Sequence, residues 1–233
     1  MLVAAAVCPC PPLLVPEVAA GAAPELDAAR AACADALGVL AAARPDRLVV
    51  IGPAERGGRY LQGTRGSFRG FGVDLDVRLG PGDAVGPELP ASLAVAAWLL
   101  ARIGWADVPV EGVGVDAGLP ADQCAALGAG ITGGNDRIAL LVMGDGSASR
   151  TLKAPGYLDD RAAPFDAEAA RALGTADLVA LAALDAGLAR ELQASGRAPW
   201  QVLAAAAEGA GLDGTLLYDE APYGVGYLVA AWS

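Results

Sequence analysis

Short apolar runs recur along the chain, and each of them stops at a proline, a glycine or an acidic residue. The first covers residues 2–7 and is followed by the sequence CPCPP at positions 8–12. Similar runs cover residues 47–51, 108–115 and 137–143. Proline cannot donate a hydrogen bond to a neighbouring strand, so the runs predict strands with defined ends. Runs in which nearly every residue is apolar are typical of strands that are buried on both faces.

The segments between these runs carry apolar side chains at intervals of three and four residues, which indicates helices. Helices are predicted from Pro24 to the residue before Pro45, over 88–103 and 121–129, and over 166–210 with breaks near Gly174 and at 196–199. Residues 71–79 alternate and predict an edge strand or hairpin arm, and further strands are predicted over 215–219 and 225–232. Strands that alternate with helices predict one α/β domain over residues 1–233, with a mostly parallel central sheet and helices on both faces.

Composition and charge narrow the classes of partner. The chain has 233 residues and a formal net charge of −11, so its surface repels polyanions and we expect no nucleic-acid binding. We expect no membrane span, because no uncharged apolar stretch is long enough. Four cysteines are too few for a disulfide framework here, which favours reduced thiols and a cytoplasmic protein. The expected partner is a small molecule, and a homo-oligomer is compatible with the sequence.

Five loops follow predicted strand ends, over residues 8–12, 52–59, 116–120, 144–150 and 219–223. In an open α/β sheet, ligands bind in the crevice beyond the carboxyl ends of the strands. Arg56 and Arg59 belong to a positive loop that could hold an anionic ligand, although a solvated surface loop is the simpler explanation. We therefore expect Cys10 to lie at the mouth of a strand-tip pocket.

Four stretches along the chain support a family resemblance: AAAVCPCPPLLVPEV at the start, then RLVVIGPAE, LLVMGDGSASR and, near the end, YDEAPYGVGYLVAAW. In order and element type, the chain resembles the class III extradiol ring-cleavage dioxygenases of the LigB-like superfamily, which also includes the Memo-type proteins. The resemblance implies a LigB-like α/β fold. It also implies an Fe(II) site in which a histidine-proline motif at the end of the first strand supplies one ligand.

The residues that the resemblance assigns to this iron site are mostly replaced, because the chain contains no histidine. The two iron-binding histidines would correspond to Cys10 and to about Ala54, and the family's base histidine would fall near Ala148. Glu220, with Asp219 as the neighbouring option, corresponds to the carboxylate ligand. Ferrous oxygenases hold iron with two imidazoles and one carboxylate, so we do not expect ring cleavage by the family mechanism.

Cys10 has three interpretations. It is an inert structural thiol, or a soft ligand that holds a transition metal such as copper(I) or zinc together with Cys8 and Glu220, or a nucleophile. A nucleophile would need a lowered pKa. Asp145 and Glu220 form a carboxylate pair if their strand ends are neighbours. Lys153, the only lysine, is a candidate base or Schiff-base residue. The alternative is that a single lysine in a chain that otherwise uses arginine is there by chance.

Two hypotheses about function follow. The first is a LigB-like protein without the iron site, which binds a small anionic or aromatic ligand or has a regulatory role, and which needs no cofactor. The second is an enzyme of altered chemistry that uses Cys10 and Glu220, with Asp145 or Lys153, and an unusual metal or none. In either case the predicted ligand-binding residues are Arg56, Arg59, Ser147, Arg150 and Tyr223.

Overall fold

The computed structural model describes residues 1–84, 86–105 and 108–233, and within them the chain forms an α/β fold around a seven-stranded sheet. The strands in the described residues are β1 (Leu2–Cys8), β2 (Arg47–Pro53), β3 (Gly58–Tyr60), β4 (Arg65–Ser67), β5 (Asp76–Arg78), β6 (Val110–Val115), β7 (Ile138–Met143), β8 (Gly214–Glu220) and β9 (Tyr227–Trp232). The helices are α1 (Pro16–Ala19), α2 (Asp27–Ala42), α3 (Ala91–Arg102), α4 (Ala121–Thr132), α5 (Ala162–Gly174), α6 (Leu178–Ala182), α7 (Ala186–Glu191) and α8 (Arg197–Ala206).

The order of strands in the sheet is β3-β6-β2-β7-β1-β9-β8. The neighbours β6, β2, β7 and β1 are parallel, whereas β3 pairs antiparallel with β6 and β9 pairs antiparallel with β1. The predicted α/β class, with a mostly parallel central sheet covered by helices, is therefore confirmed. β4 and β5 form a separate two-stranded ribbon.

Side chains that alternate along the central strands supply two hydrophobic cores, one on each face of the sheet. In β7, Ile138, Leu140 and Val142 pack with the helices α4 to α8. Ala139, Leu141 and Met143 of the same strand pack on the other face with α2 and α3. Because both faces are covered, these strands have no polar side, which explains their uninterrupted apolar sequence.

Several element boundaries differ from the prediction. Among them, the start of α5 is Ala162 rather than Asp166. The alternating segment 71–79 forms a strand only over β5, because Phe71 belongs to a helical turn that ends at Gly72, whose φ is +82°. α3 begins after Pro90 rather than at Glu88. The expected break at 196–199 ends at Gly196, because Pro199 lies in the first turn of α8. Amides in the first turn have no acceptor within the helix, so the missing N–H of proline costs no helical hydrogen bond there.

Candidate functional site

The five predicted loops meet at one edge of the sheet. β1, β2, β6 and β7 run in the same direction, so the loops that follow them share an edge. β8 and β1 both pair antiparallel with β9, so β8 runs in that direction too and Glu220 ends at the same edge. This arrangement is the crevice in which open α/β sheets bind ligands.

A cavity of about 850 Å³ lies at this edge, which we call the strand-tip cavity. Its size is within the range of small-molecule sites. Cys10 lines it, as the sequence led us to expect, and is 7% exposed. The rest of the lining comes from the end of β2 and the loop after it, from β3, from the segment that leads into α3, and from the loop after β6: Pro53, Ala54, Glu55, Arg56, Gly57, Gly58, Arg59, Tyr60, Pro87, Glu88, Pro90, Ala91, Ser92 and Ala117.

The two arginines of the lining differ in what they contact. Nη1 of Arg59 lies 3.4 Å from Oε2 of Glu111, and the register pairs Arg59 with Val113, which packs on the α4 face of the sheet. The guanidinium of Arg59 is thus held on the face opposite to Cys10 and α3. Arg56 is exposed and, among the residues that the structure describes, has no ion-pair partner.

The start of α3 also borders the cavity. The helix is preceded by Pro90, which offers no side-chain hydrogen bond to its first amides, and no acidic residue lies in its first turn. Ala91 and Ser92 line the cavity, and the hydroxyl of Ser92 donates to the carbonyl oxygen of Pro53 at 2.6 Å. The partial positive charge of the helix start therefore adds to that of Arg56 on this wall.

Behind Cys10 lies Asp145, from the loop after β7. The backbone amide of Cys10 donates to Oδ1 of Asp145 at 2.8 Å, and the thiol Sγ lies 3.9 Å from Oδ2. The amide of Asp145 in turn donates to Oγ of Ser195 at 3.1 Å. No arginine or lysine in the described part of the chain pairs with this carboxylate. The structure thus brings together Cys10 and Asp145, which are 135 residues apart in the sequence.

Burial raises the pKa of Asp145 from 3.8 to about 6, and the hydrogen bonds from Cys10 oppose that rise only in part. Burial, followed by the charge of Asp145, raises the pKa of the Cys10 thiol well above its ordinary value. The thiol therefore stays protonated near neutral pH and acts as a weak hydrogen-bond donor. This environment is opposite to the one that activates a cysteine nucleophile.

Ser147 and Arg150, two of the predicted ligand-binding residues, contact a carboxylate that the sequence did not single out. Asp166 of α5, which is 1% exposed, accepts from the amide and the hydroxyl of Ser147, both at 2.7 Å, and from Nη1 of Arg150 at 3.0 Å. The backbone packs so closely here that a Cβ at Gly226 would lie 2.5 Å from Oδ2 of Asp166. These contacts already satisfy Ser147 and Arg150.

The remaining predicted site residues, Glu220, Lys153 and Tyr223, do not line the strand-tip cavity. Glu220 is exposed, and one of its carboxylate oxygens accepts from the hydroxyl of Tyr218 at 3.3 Å. Lys153 is exposed in the turn after the β7 loop. Tyr223 is partly buried, and burial together with the nearby carboxylate of Glu25 raises its pKa.

The donors at the cavity do not fit the ferrous iron that the resemblance implies. Cys10 offers a protonated thiol, and Ala54, which corresponds to the second histidine, offers only a methyl group. Within the described residues, no group of three or more cysteine, aspartate or glutamate side chains is placed to hold a metal ion. Metal binding by Cys10 and Glu220 stays a prediction, and we derive no chemistry through it.

Comparison with known proteins gives a structural neighbour. The crystal structure of the uncharacterized protein JW3007 from Escherichia coli K12 matches this chain with a TM-score of 0.57 and 14% sequence identity, over 99% of both chains. At this identity the match supports the fold alone. Neither a protein family nor a curated protein sequence matches the chain. No helix in the described residues is long and apolar enough to cross a membrane.

Proposed function

We propose that this chain is a LigB-like protein without an iron site, which binds a small anionic ligand in the strand-tip cavity. The observation that carries the proposal is the position of Cys10 and Ala54. The resemblance assigns both to iron-binding histidines, and both line the same cavity. A LigB-like scaffold whose iron ligands were replaced would keep such a pocket.

The charges of the cavity favour a monoanion. Arg56 and the start of α3 supply positive charge on one wall, and a guanidinium suits a carboxylate. Glu55 and Glu88 also belong to the lining, so the cavity would repel a ligand with several negative charges. Cys10, Ala54 and Ala91 present small side chains to the cavity, and these leave room for the hydrocarbon or aromatic part of a ligand.

The enzyme of altered chemistry has less support. Its nucleophile would be Cys10, whose pKa is raised, and its lysine would be Lys153, which is exposed rather than desolvated. Metal analysis of anaerobically purified protein tests this alternative. Stoichiometric metal that is lost in a Cys10→Ala variant would favour the enzyme over the binding protein.

The proposal extends to the cellular compartment. All four cysteines are free and buried, which suits a reducing environment such as the cytoplasm. Fractionation of cells that express the chain tests this assignment, and sedimentation of the purified protein tests whether it forms a homo-oligomer.

Calorimetric titration with hexanoate, benzoate and the neutral hexanamide tests the binding proposal. Hexanoate should bind more tightly than hexanamide, and Arg56→Gln should weaken hexanoate binding about tenfold without affecting hexanamide, because a charged hydrogen bond is lost. Arg190→Gln is the control, since Arg190 is an exposed arginine of α7 outside the cavity. Equal binding of acid and amide, or no effect of Arg56→Gln, would contradict the proposal.

A further inference from the structure

The turn that leads into α8 contacts the loop after β7 at the edge of the sheet. The amide of Gly196 donates to the carbonyl oxygen of Asp145 at 2.8 Å, and Oγ of Ser195 accepts from the amide of Asp145 at 3.1 Å. A Cβ at Gly144 would lie 2.4 Å from Cα of Gly196, so a side chain there would prevent this approach. Because Asp145 accepts from the amide of Cys10, the turn supports one wall of the strand-tip cavity.

Arg197, the first residue of α8, contacts the loop after β6 in the same way. Its Nη1 donates to the carbonyl oxygen of Leu119 at 2.6 Å, and its Nη2 donates to that of Ala117 at 2.5 Å. Nη1 also donates to Oε1 of Gln201, one turn further along α8, at 2.9 Å. Ala117 is exposed and lines the strand-tip cavity. One guanidinium thus holds two carbonyl groups of a loop that forms part of the cavity wall.

The charge of Arg197 is retained at a cost. The side chain is 1% exposed, and no carboxylate pairs with it in the part of the chain that the structure describes. Its Nε is buried without a hydrogen-bond partner. Burial of a charge without an opposite charge lowers stability, whereas an apolar side chain of similar size often stabilises such a position. A guanidinium, however, presents several donors in one rigid plane, which suits two carbonyl groups of one loop.

We propose that Arg197 is a positioning residue for ligand binding, which holds residues 117–119 where Ala117 forms a wall of the strand-tip cavity. This inference rests on the proposed function and assigns a role to a side chain that does not itself line the cavity. Ala117 contributes a methyl group to the wall. Loss of its position should therefore weaken contacts with the body of a ligand, whether or not its head group is charged.

Calorimetric titration of Arg197→Lys and Arg197→Met with hexanoate and hexanamide tests this assignment. Lysine keeps the charge without the planar set of donors, and methionine lacks both. Each variant should bind both compounds about three- to tenfold more weakly, as is typical of residues that influence a site without touching its ligand. Weaker binding of the acid alone would mean that Arg197 acts through its charge, and would overturn the positioning role.

Trp232→Phe is the control for a loss of stability. Trp232 ends β9, which is antiparallel to β1, so it lies at the opposite edge of the sheet from the cavity. Its Nε1 donates to the buried carbonyl oxygen of Leu173 at 2.7 Å, and the variant loses this hydrogen bond without touching a strand-tip loop. All titrations are made at a temperature at which circular dichroism shows the variants to be folded. Trp232→Phe should then bind both compounds as the natural protein does.

Hydrogen exchange of the natural protein tests the assignment without any variant, and so covers the case in which the Arg197 variants do not fold. Saturating hexanoate should slow amide exchange at residues 117–119 and at 195–197, because the ligand stabilises the loop and its anchor together. Unchanged exchange at 117–119 would overturn the assignment.

The titrations separate this assignment from the proposed function. If the natural protein binds hexanoate and the folded Arg197 variants bind it equally well, the positioning role is overturned and the proposed function stands. If the natural protein binds neither compound, the proposed function fails and the assignment fails with it.

Discussion

Two carboxylates contact the loop after β7, Asp145 from the start of that loop and Asp166 from α5, and their surroundings are opposite. Asp166 accepts hydrogen bonds from Ser147 and Arg150 and is enclosed by the backbone of Gly226. Asp145 faces only the amide and thiol of Cys10, with no cation beside it. A buried carboxylate with a guanidinium partner contributes to the fold, whereas one without a partner is retained at a cost.

This difference separates the structural part of the loop from its candidate functional part. Ser147 and Arg150, which the sequence suggested as ligand-binding residues, hold the loop in place through Asp166. Asp145 lies next to the cavity, and its raised pKa is typical of groups at binding or catalytic sites. Substitutions at the two carboxylates should therefore change stability in opposite directions.

The largest effect is expected for Asp166→Asn. An amide has one acceptor oxygen where the carboxylate has two, so it cannot accept all three hydrogen bonds from Ser147 and Arg150. Arg150 would also lose its charged partner, so the free energy of unfolding should fall by about 3 kcal/mol. Urea denaturation measures this loss. Glu168→Gln is the control on the same helix, because Glu168 is half exposed in a surface ion pair with Arg171 and should cost less than about 1 kcal/mol. Equal losses in the two variants would contradict the structural role of Asp166.

Asp145→Asn should stabilise the protein at neutral pH. The folded-state pKa of Asp145 is raised, so its contribution to stability is fully present below about pH 4 and is lost as the pH rises through about 6. The rise from 3.8 to about 6 corresponds to at most about 3 kcal/mol. The variant should therefore exceed the natural protein in melting temperature at about pH 7.5 and match it at about pH 4.

The control for that comparison is Asp116→Asn, at the exposed end of β6, whose carboxylate accepts from the amide of Gly118. This variant should keep the pH profile of the natural protein. If Asp145→Asn destabilises the protein at both pH values, Asp145 belongs with Asp166 as a structural carboxylate, and the contrast between them disappears.

The sequence predicted the strands and their shared edge better than the contacts within that edge. β1, β2 and β7 were recognisable because each apolar run stops at a proline or glycine, and parallel strands must end together. That Cys10 would face Asp145 was not recognisable, because β7 pairs with β1 only in the folded sheet and the two residues are 135 positions apart. Strand order follows from the packing of helices on both faces, which a single sequence does not specify.

Asp166 illustrates a second reason why the sequence does not predict the contacts at this edge of the sheet. An acid early in a helix is usually solvated, and nothing in its sequence distinguishes Asp166 from Glu168 two residues later. Glycines at 146 and 226 gave an indirect signal, since their lack of a side chain lets the backbone enclose that carboxylate. Arg59 lines the strand-tip cavity as expected, but its position opposite Val113 directs its guanidinium to Glu111 on the other face of the sheet, which the sequence did not predict.

The smallest effect is expected for Cys10→Ser. The serine hydroxyl is more polar than the thiol and is less favourable to bury, but it is also a better hydrogen-bond donor to Asp145. The two effects oppose each other, so the free energy of unfolding should change by less than about 1 kcal/mol, or about two degrees in melting temperature. Cys33→Ser is the matched comparison, because Cys33 is 0% exposed on the apolar stripe of α2 and its hydroxyl would be buried at a cost of about 1 to 3 kcal/mol. Equal losses at both positions would mean that Cys10 is core packing and that the region around Asp145 is structural like that around Asp166.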